Sequence, residues 1–320
     1  MRLFRVVKPG FYTTVQDVGR HDFLKYGVPI SGAMDEFSLQ LANMVVGNNP
    51  NDACLEITLI GPELEALGDT QIAMTGGDVA PKINGQDVEM WQTLRVEKGD
   101  LIVLGKARTG CRAYLSIRGG INVPLVLGSR STYVRCEIGG KGGRQLRAGD
   151  VIEGFDSIKP LDFKLPLPDD FIPRFEDEAH VRVMLGPQLE NFAKRGVETF
   201  LSNPYRITIE ADRMGYRLEG PSIGHKEHNE AISDAILPGA VQVPPNCQPI
   251  VMMKDAQTTG GYLKIAVVIT SDLYILGQAK PNDSVYFHRT TLNEACRRLA
   301  EYKKRFQIIK RKLPRQRLDD

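Results

Sequence analysis

A chain of 320 residues with 42% hydrophobic and 25% charged residues has the composition of a globular protein, which excludes an intrinsically disordered one. Its 41 basic against 39 acidic residues leave a net charge of +2, so no overall field would attract nucleic acid or an anionic membrane. Partners of those two kinds are not expected. The length suits two domains, since domains usually have about 100–200 residues.

The cysteines and histidines are sparse. The 5 cysteines lie far apart without a Cys-x-x-Cys pair, which argues against a disulfide framework and a zinc site. His225 and His228 lie in a polar stretch typical of a loop, so we predict no metal site. The apolar part of the N-terminal segment is too short for a signal peptide, and no run approaches the ~20 apolar residues of a membrane span. We expect a cytoplasmic protein with reduced thiols.

Short apolar segments separated by Gly, Pro, Asn and Asp recur along the chain, a pattern typical of many short strands and tight turns. The 31 glycines agree with it, because tight turns and bulges need positive φ angles. The sequence therefore predicts an all-β protein. The clearest predicted strands are residues 71–74, 94–96, 101–104, 112–117, 181–185, 206–210, 250–253 and 265–269.

Few helices are predicted. Apolar residues of segment 35–46 fall on one face at helical spacing, with Asp35 placed to cap the helix and Gly47 to end it. Residues 189–200 and 292–309 are the other two predicted helices. The C-terminal one is strongly basic, for which a solvated helix face is favoured over a basic contact surface.

A proline-rich segment predicts the domain boundary. Its prolines prevent a helix and disrupt a central strand. These prolines are Pro160, Pro166, Pro168 and Pro173. We predict an N-terminal domain of residues 1–158, a linker of residues 159–173 and a C-terminal domain of residues 174–320.

The N-terminal half contains two polar segments rich in glycine. Residues 128–133 (GSRSTY) include Arg130, Ser131 and Tyr133, and residues 139–144 (GGKGGR) end on Arg144. Positively charged side chains next to a glycine backbone that a ligand can approach closely are suited to binding a carboxylate or a phosphate group. A Walker A loop is excluded, because the Gly-Lys-Ser/Thr ending is absent. From the residues alone, an anion site and ordinary turn glycines with solvated cations both remain open.

The C-terminal half contains a polar segment between two predicted core strands. It has the sequence DAQTTGGY over residues 255–262, and these groups would be costly to bury without partners. They therefore either satisfy one another or face a ligand, and both interpretations stay open.

Lys254 lies in a Met-Met-Lys setting similar to that of a biotinyl lysine but lacks small flanking residues, so no covalent biotin is predicted on this chain.

Longer motifs, in a consistent order from about residue 5 to residue 290, carry a family resemblance. They include TTVQD at 13–17, GVP at 27–29, SGAMD at 31–35, GSRSTY at 128–133, RLEG at 217–220, QVP at 242–244 and QTTGGY at 257–262. These motifs resemble those of allophanate-hydrolase-subunit-2-like proteins. That family includes the C subunit of 5-oxoprolinase and half of the carboxyltransferase domain of urea carboxylase.

The resemblance implies two cyclophilin-like β-barrel domains with a few short helices and a C-terminal helix. It also implies two partner proteins. The B subunit is a second cyclophilin-like protein that shares the active site, and the A subunit is a separate barrel-type hydrolase. A small-molecule substrate and ATP, with Mg, are expected in the assembled complex.

The leading hypothesis from the resemblance is one subunit of an ATP-dependent 5-oxoprolinase, which opens the lactam of 5-oxoproline to give glutamate. Phosphorylation of the lactam oxygen would create a leaving group for water to displace, which needs cations more than covalent participation by the protein. One alternative is biotin-dependent carboxyl transfer to urea or a similar amide. Another is a non-catalytic antagonist of a kinase inhibitor.

On this hypothesis, the candidate residues fall into a catalytic set and a binding set. The candidate catalytic residues are Asp255, Arg213 and Arg130. The candidates for binding the substrate or nucleotide are Ser131, Tyr133, Arg144, Arg217, Gln242, Gln257, Thr258, Thr259, Gly260, Gly261 and Tyr262.

Overall fold

The computed structural model describes residues 1–155, 159, 161, 166–226 and 232–312. Strands predominate, helices are few, and the longest helix is C-terminal, so the predicted all-β class is confirmed. The chain forms two compact units. Unit 1 comprises Met1–Arg20, Ser31–Phe175 and Arg305–Asp320, and unit 2 comprises His21–Ile30 and Glu176–Lys304.

Unit 1 contains two antiparallel sheets. Its strands are β1 (Arg2–Lys8), β2 (Tyr12–Gln16), β3 (Cys54–Thr58), β4 (Glu63–Ala66), β5 (Thr70–Gly76), β6 (Lys82–Ile83), β7 (Gln86–Asp87), β8 (Thr93–Val96), β9 (Leu101–Val103), β10 (Arg112–Ile117) and β11 (Val151–Glu153). One sheet has the order β11-β1-β4-β9-β6-β7 and the other β2-β3-β10-β5-β8. Both sheets contribute to a single core, with Phe4 and Ile102 from the first and Leu55 and Leu115 from the second. Each such side chain contributes about 1.5–3 kcal/mol when fully buried.

The first helix, α1 (Glu36–Val45), matches its prediction closely. The Asp35 side chain caps the helix by accepting a hydrogen bond from the Ser38 N–H at 2.9 Å. Gly47 follows the helix with a φ of 69°, a left-handed conformation that glycine adopts readily. Asp35 lies in the SGAMD motif, so part of that motif has a structural role.

Unit 2 is built on a closed barrel with the strand order β12-β19-β16-β17-β14-β13-β20. Its strands are β12 (Glu178–Leu185), β13 (Tyr205–Ile207), β14 (Gly215–Glu219), β15 (Asp234–Ala235), β16 (Ala240–Val243), β17 (Ile250–Met252), β18 (Thr259–Gly260), β19 (Leu263–Val268) and β20 (Ser284–Arg289). The parallel pairing of β12 with β20 closes the barrel. The short strands β15 and β18 form a separate two-stranded ladder.

The remaining helices are α2 (Lys194–Ser202), α3 (Leu273–Gln278) and α4 (Leu292–Lys312). The predicted helix over residues 189–200 is wrong in its first part, where Leu189–Asn191 forms a 3₁₀ turn. Phe192 is drawn instead into a β-bridge with His225, and this extended backbone delays the start of α2. The C-terminal helix exists as predicted but extends to Lys312.

Every predicted strand overlaps an observed one, although the segment predicted at 206–210 is the shorter β13. The predicted linker, residues 159–173, lies partly outside the described residues, so the proposed division at this segment stays a prediction. His228 also lies outside them. Among the helices of the described ranges, none combines the length and the apolar composition of a membrane-spanning segment.

Candidate functional site

Asp17 is the centre of a buried polar cluster in unit 1. It follows directly on β2, and its Oδ1 accepts hydrogen bonds from the Ser129 and Ser131 hydroxyls at 2.6 and 2.5 Å. The N–H of Gly19 donates to Oδ1 at 2.8 Å, and the N–H of Arg130 donates to Oδ2 at 2.6 Å. The carboxylate therefore joins the TTVQD and GSRSTY motifs into one structure. Sequence reasoning did not name Asp17 as a candidate, although it lies in a motif that carries the resemblance.

Two glycines of the GGKGGR segment are needed for close packing against this cluster. Arg20 is fully buried, and its Nη2 donates to the carbonyl oxygen of Ser131. A Cβ atom at Gly139 would clash with both of those groups, and one at Gly140 would clash with the Thr132 hydroxyl. Both glycines also have positive φ angles, 69° and 53°. Packing and backbone conformation thus account for these two positions without a bound anion.

The Arg144 guanidinium is occupied by an internal partner. Its Nη1 and Nη2 donate to the two carboxylate oxygens of Asp150 at 2.7 and 2.8 Å. This bidentate pair lowers the pKa of the Asp150 carboxyl and raises the pKa of Arg144. Arg144 Nη1 also donates to the Gln145 carbonyl at 2.9 Å, so most of its polar contacts are made within the chain.

Arg130 is placed differently from Arg144. Its Nε donates to the Val123 carbonyl at 3.2 Å, and its guanidinium carbon lies 5.4 Å from the centroid of the Phe155 ring. Burial raises the pKa of Asp52, and the charge of Arg130 opposes that shift. Arg130 forms no ion pair with any residue that the structure describes.

The other two predicted residues of unit 1 have structural partners. The Ser131 hydroxyl is part of the Asp17 cluster, while Tyr133 forms a backbone bridge with Ile138 through hydrogen bonds of 2.8 and 3.1 Å.

A cavity of about 370 Å³ in the same unit is lined by Gln71, Arg95 and Phe155, among others. None of the predicted residues lines it, although Arg130 contacts Phe155.

In unit 2, Arg213 and Asp255 form a buried bidentate ion pair. Arg213 Nε and Nη2 donate to Asp255 Oδ2 and Oδ1 at 2.9 and 3.0 Å. The N–H of Asp255 also donates to the Arg213 carbonyl at 2.8 Å. The pair fixes the point at which the DAQTTGGY segment leaves the barrel after β17.

The DAQTTGGY segment then pairs with the β15 strand. Thr259 lies opposite Ala235, and Gly260 lies opposite Asp234. Thr258 contributes its carbonyl oxygen, which accepts the Ile236 N–H at 2.9 Å. Several residues of the segment are exposed to solvent, namely Gln257, Thr259, Gly261 and Tyr262.

Two side-chain amides converge on Gly260. A Cβ atom at this glycine would lie 3.1 Å from Gln242 Nε2 and 3.5 Å from Gln257 Nε2, and 2.5 Å from Ile236 Cδ1. Gln242 is only 1% exposed, and its Nε2 donates a long hydrogen bond of 3.5 Å to the Tyr262 carbonyl. The structure therefore brings four of the predicted binding residues together: Gln242, Gln257, Gly260 and Tyr262.

Lys264 completes this site and was missed from the sequence. It lies opposite Gln242 in the β16–β19 pairing and is 4% exposed. Its ammonium donates to the Asp234 carboxylate and to the Ala235 carbonyl, which ties β19 to β15. Hydrogen bonding to Lys264 lowers the pKa of Asp234. The sequence offered one signal for this residue, a lysine beside the apolar residues of a strand. The strand was predicted to begin at residue 265, so Lys264 fell just outside it.

Arg217 does not belong to this group of contacts. It pairs with Glu210 at 3.2 Å, and both side chains are more than half exposed, at 57% and 71%.

Across the described ranges, no cluster of three or more His, Cys, Asp and Glu side chains is arranged to hold a metal ion.

The carboxyltransferase domain family, subdomains A and B, matches residues 26–289 of this chain. The protein therefore belongs to that family. It is 35% identical over 311 residues to the C subunit of 5-oxoprolinase from Escherichia coli, an alignment that covers 96% of this chain and 97% of the relative.

Urea-processing enzymes give matches of similar identity over a small part of their length. Urea amidolyase of Lachancea kluyveri is 36% identical over 305 residues, which is 89% of this chain but 17% of that protein. The crystal structure of the Kluyveromyces lactis urea carboxylase superposes with a TM-score of 0.91 and 33% identity. It covers 97% of this chain and 29% of the carboxylase chain.

Proposed function

We propose that this chain is the C subunit of an ATP-dependent 5-oxoprolinase and that it works with an A and a B subunit. The proposal rests on the share of each relative's length that the alignment covers. Nearly the whole length of the E. coli protein is matched, at 97%, whereas only 17% of the urea amidolyase is matched at almost the same identity. The aligned region thus spans nearly all of the E. coli subunit but a small fraction of the amidolyase.

The Gln242 amide supports a role in holding the lactam. A lactam offers one N–H donor and one carbonyl acceptor in fixed geometry, and a carboxamide side chain offers the complementary pair. The Gln242 side chain is buried beside Gly260, and the one hydrogen bond of its amide to a described residue is the long contact with the Tyr262 carbonyl. A buried amide of this kind gains from a ligand that satisfies its remaining groups. Gln257, on the other side of Gly260, supplies a second amide.

Lys264 is suited to the substrate carboxylate. An ammonium has three N–H donors, and the Asp234 carboxylate and the Ala235 carbonyl take two of them. The third is available for a charge-assisted hydrogen bond. Because Lys264 and Gln242 are cross-strand neighbours, one small molecule reaches both side chains.

Among the predicted arginines, Arg130 differs in forming no ion pair with a described residue, but it lies in unit 1 and we assign it no part in holding the lactam. Arg144, Arg213 and Arg217 are each paired with a carboxylate. We assign Arg213 and Asp255 the role of positioning the DAQTTGGY segment. MgATP enters as a substrate of the assembled complex, and we assign no residue of this chain to the metal.

Reconstitution tests this function. The chain is mixed with its A and B partners, ATP and 5-oxoproline, and glutamate release is compared with a mixture that lacks the chain. Glutamate release only in the complete mixture supports the proposal, and equal release in both mixtures rejects it.

Carboxyl transfer to urea is the second candidate, favoured by the TM-score of 0.91 with the urea carboxylase. A parallel reaction with urea, bicarbonate, ATP and a carboxylated biotin carrier in place of 5-oxoproline decides between the two. Urea consumption without glutamate release in the first assay would select carboxyl transfer.

A further inference from the structure

A half-buried cysteine in unit 2 lies beside a histidine whose other ring nitrogen is bound to a backbone carbonyl. Cys247 Sγ is 3.6 Å from His225 Nδ1, and His225 Nε2 is 3.0 Å from the Val243 carbonyl oxygen. A carbonyl oxygen only accepts hydrogen bonds, so Nε2 carries the ring proton. In the neutral ring, Nδ1 is then the acceptor that faces the thiol.

The surrounding backbone holds both side chains in this arrangement. Cys247 lies in the turn between β16 and β17 with a φ of 60°, which is uncommon for a residue with a side chain and often marks functional positions. Its N–H donates to the Pro244 carbonyl at 2.9 Å, and its carbonyl accepts the Ile223 N–H at 3.0 Å. The His225 ring packs against Phe192 with a centroid distance of 5.2 Å.

We propose that Cys247 is a modification site, a thiol activated by His225 that exchanges with low-molecular-weight disulfides. A nucleophile, its base and a group that orients the base, all within hydrogen-bonding reach, form the arrangement of an activated thiol. In this protein the nucleophile is Cys247, the base is His225, and the group that orients the base is the Val243 carbonyl. This inference does not depend on the proposed oxoprolinase function.

The exchange is balanced without any further reagent. The S–H proton passes to His225 Nδ1, and the thiolate sulfur attacks one sulfur of the disulfide, so that the S–S bond breaks. The departing thiolate takes the proton back from the imidazolium. The products are a mixed disulfide at Cys247 and one small free thiol.

The thiol has a second acceptor, the Pro245 carbonyl oxygen at 3.6 Å. Donation to that carbonyl leaves the thiol protonated and unreactive, because a carbonyl oxygen does not take up the proton. The reaction rate of Cys247 reports which acceptor prevails.

Other cysteines of the same chain are matched controls. Cys136 and Cys296 are exposed free cysteines, and Cys54 and Cys111 are buried. The protein is incubated with glutathione disulfide at neutral pH, and each peptide is followed by mass spectrometry. We expect Cys247 to gain glutathione about tenfold faster than Cys136 or Cys296, because an adjacent base that takes up the thiol proton activates the sulfur for attack.

His225→Gln removes the base and keeps a polar side chain, so the rate at Cys247 should fall to that of Cys136. Urea denaturation of the unaltered protein is a second arm that needs no variant, and there the advantage of Cys247 should disappear. Equal native rates at Cys247 and Cys136 would overturn the proposal. A folded His225→Gln variant that reacts as fast as the unaltered protein would overturn it too.

Discussion

Arg213 and Asp255 hold each other through two parallel hydrogen bonds, of 2.9 and 3.0 Å, with their side chains only 7% and 8% exposed. Removing one member of a buried ion pair strands the other charge. Asp255→Asn should therefore lower the free energy of unfolding by about 3–5 kcal/mol, measured by urea denaturation. Glu210→Gln is the control, since its exposed pair with Arg217 should contribute less than about 1 kcal/mol. Similar losses in both variants would refute the buried pair as an anchor of this segment.

Gly260 offers a steric test of the amide site. Gly260→Ala places a methyl group 2.5 Å from Ile236 Cδ1 and 3.1 Å from Gln242 Nε2. We expect glutamate release by the reconstituted complex to fall at least about tenfold, because small displacements of positioning groups are costly in catalysis. Gly224→Ala is the matched control, because an added Cβ there meets nothing within 4 Å. If the Gly260→Ala variant keeps its activity, the substrate does not bind at this amide site.

Lys264→Gln tests the proposed carboxylate partner. Loss of a charge-assisted hydrogen bond of about 1.5–3 kcal/mol should raise the KM for 5-oxoproline by about 10-fold to 100-fold. Lys280→Gln serves for comparison, because Lys280 also pairs with carboxylates, Asp177 and Asp283, but lies outside the proposed site. Equal changes in KM for both variants would argue against substrate contact at Lys264.

The pair of Arg144 and Asp150 predicts a pH dependence of stability. The pair lowers the folded-state pKa of Asp150 below its ordinary value of 3.8, so its contribution is present above that pH and is lost as pH falls through the lowered pKa. Arg144→Gln should destabilise the protein by about 1 kcal/mol at neutral pH and by less as the pH falls below about 4. Unfolding measured against pH checks this.

The same variant separates structure from ligand binding. Because we assign Arg144 a structural role with Asp150 and no contact with a ligand, we expect the KM values for ATP and 5-oxoproline to remain unchanged in Arg144→Gln. A large rise in either KM with an unaltered pH dependence of unfolding would instead support the anion site that the sequence left open.

Much of the fold was predictable because strands and turns follow from local pattern. Alternating apolar segments and turn residues located the core strands, and Asp35 marked the start of α1 correctly. The failed half of the helix at residues 189–200 shows the limit of this approach. There the β-bridge of Phe192 to His225, distant in sequence, outweighs local helical spacing.

The site was less predictable, since long-range contacts decide what each polar residue does. From the sequence, Arg130 and Arg144 were equivalent cations, but only Arg144 has a carboxylate six residues away that folds back onto it. Lys264 is functional in our account because β15 brings Asp234 to it across 30 positions. No local pattern of residues encodes the contact between Lys264 and Asp234.

A titration gives the most direct test of the central claim. The initial rate of glutamate release from 5-oxoproline is measured at fixed amounts of the A and B partners with increasing amounts of this chain. We predict a rate near zero without the chain and a rise to a plateau at a fixed ratio of the chain to its B partner. A rate that stays flat across the titration, with both partners shown to be folded, would contradict the assignment.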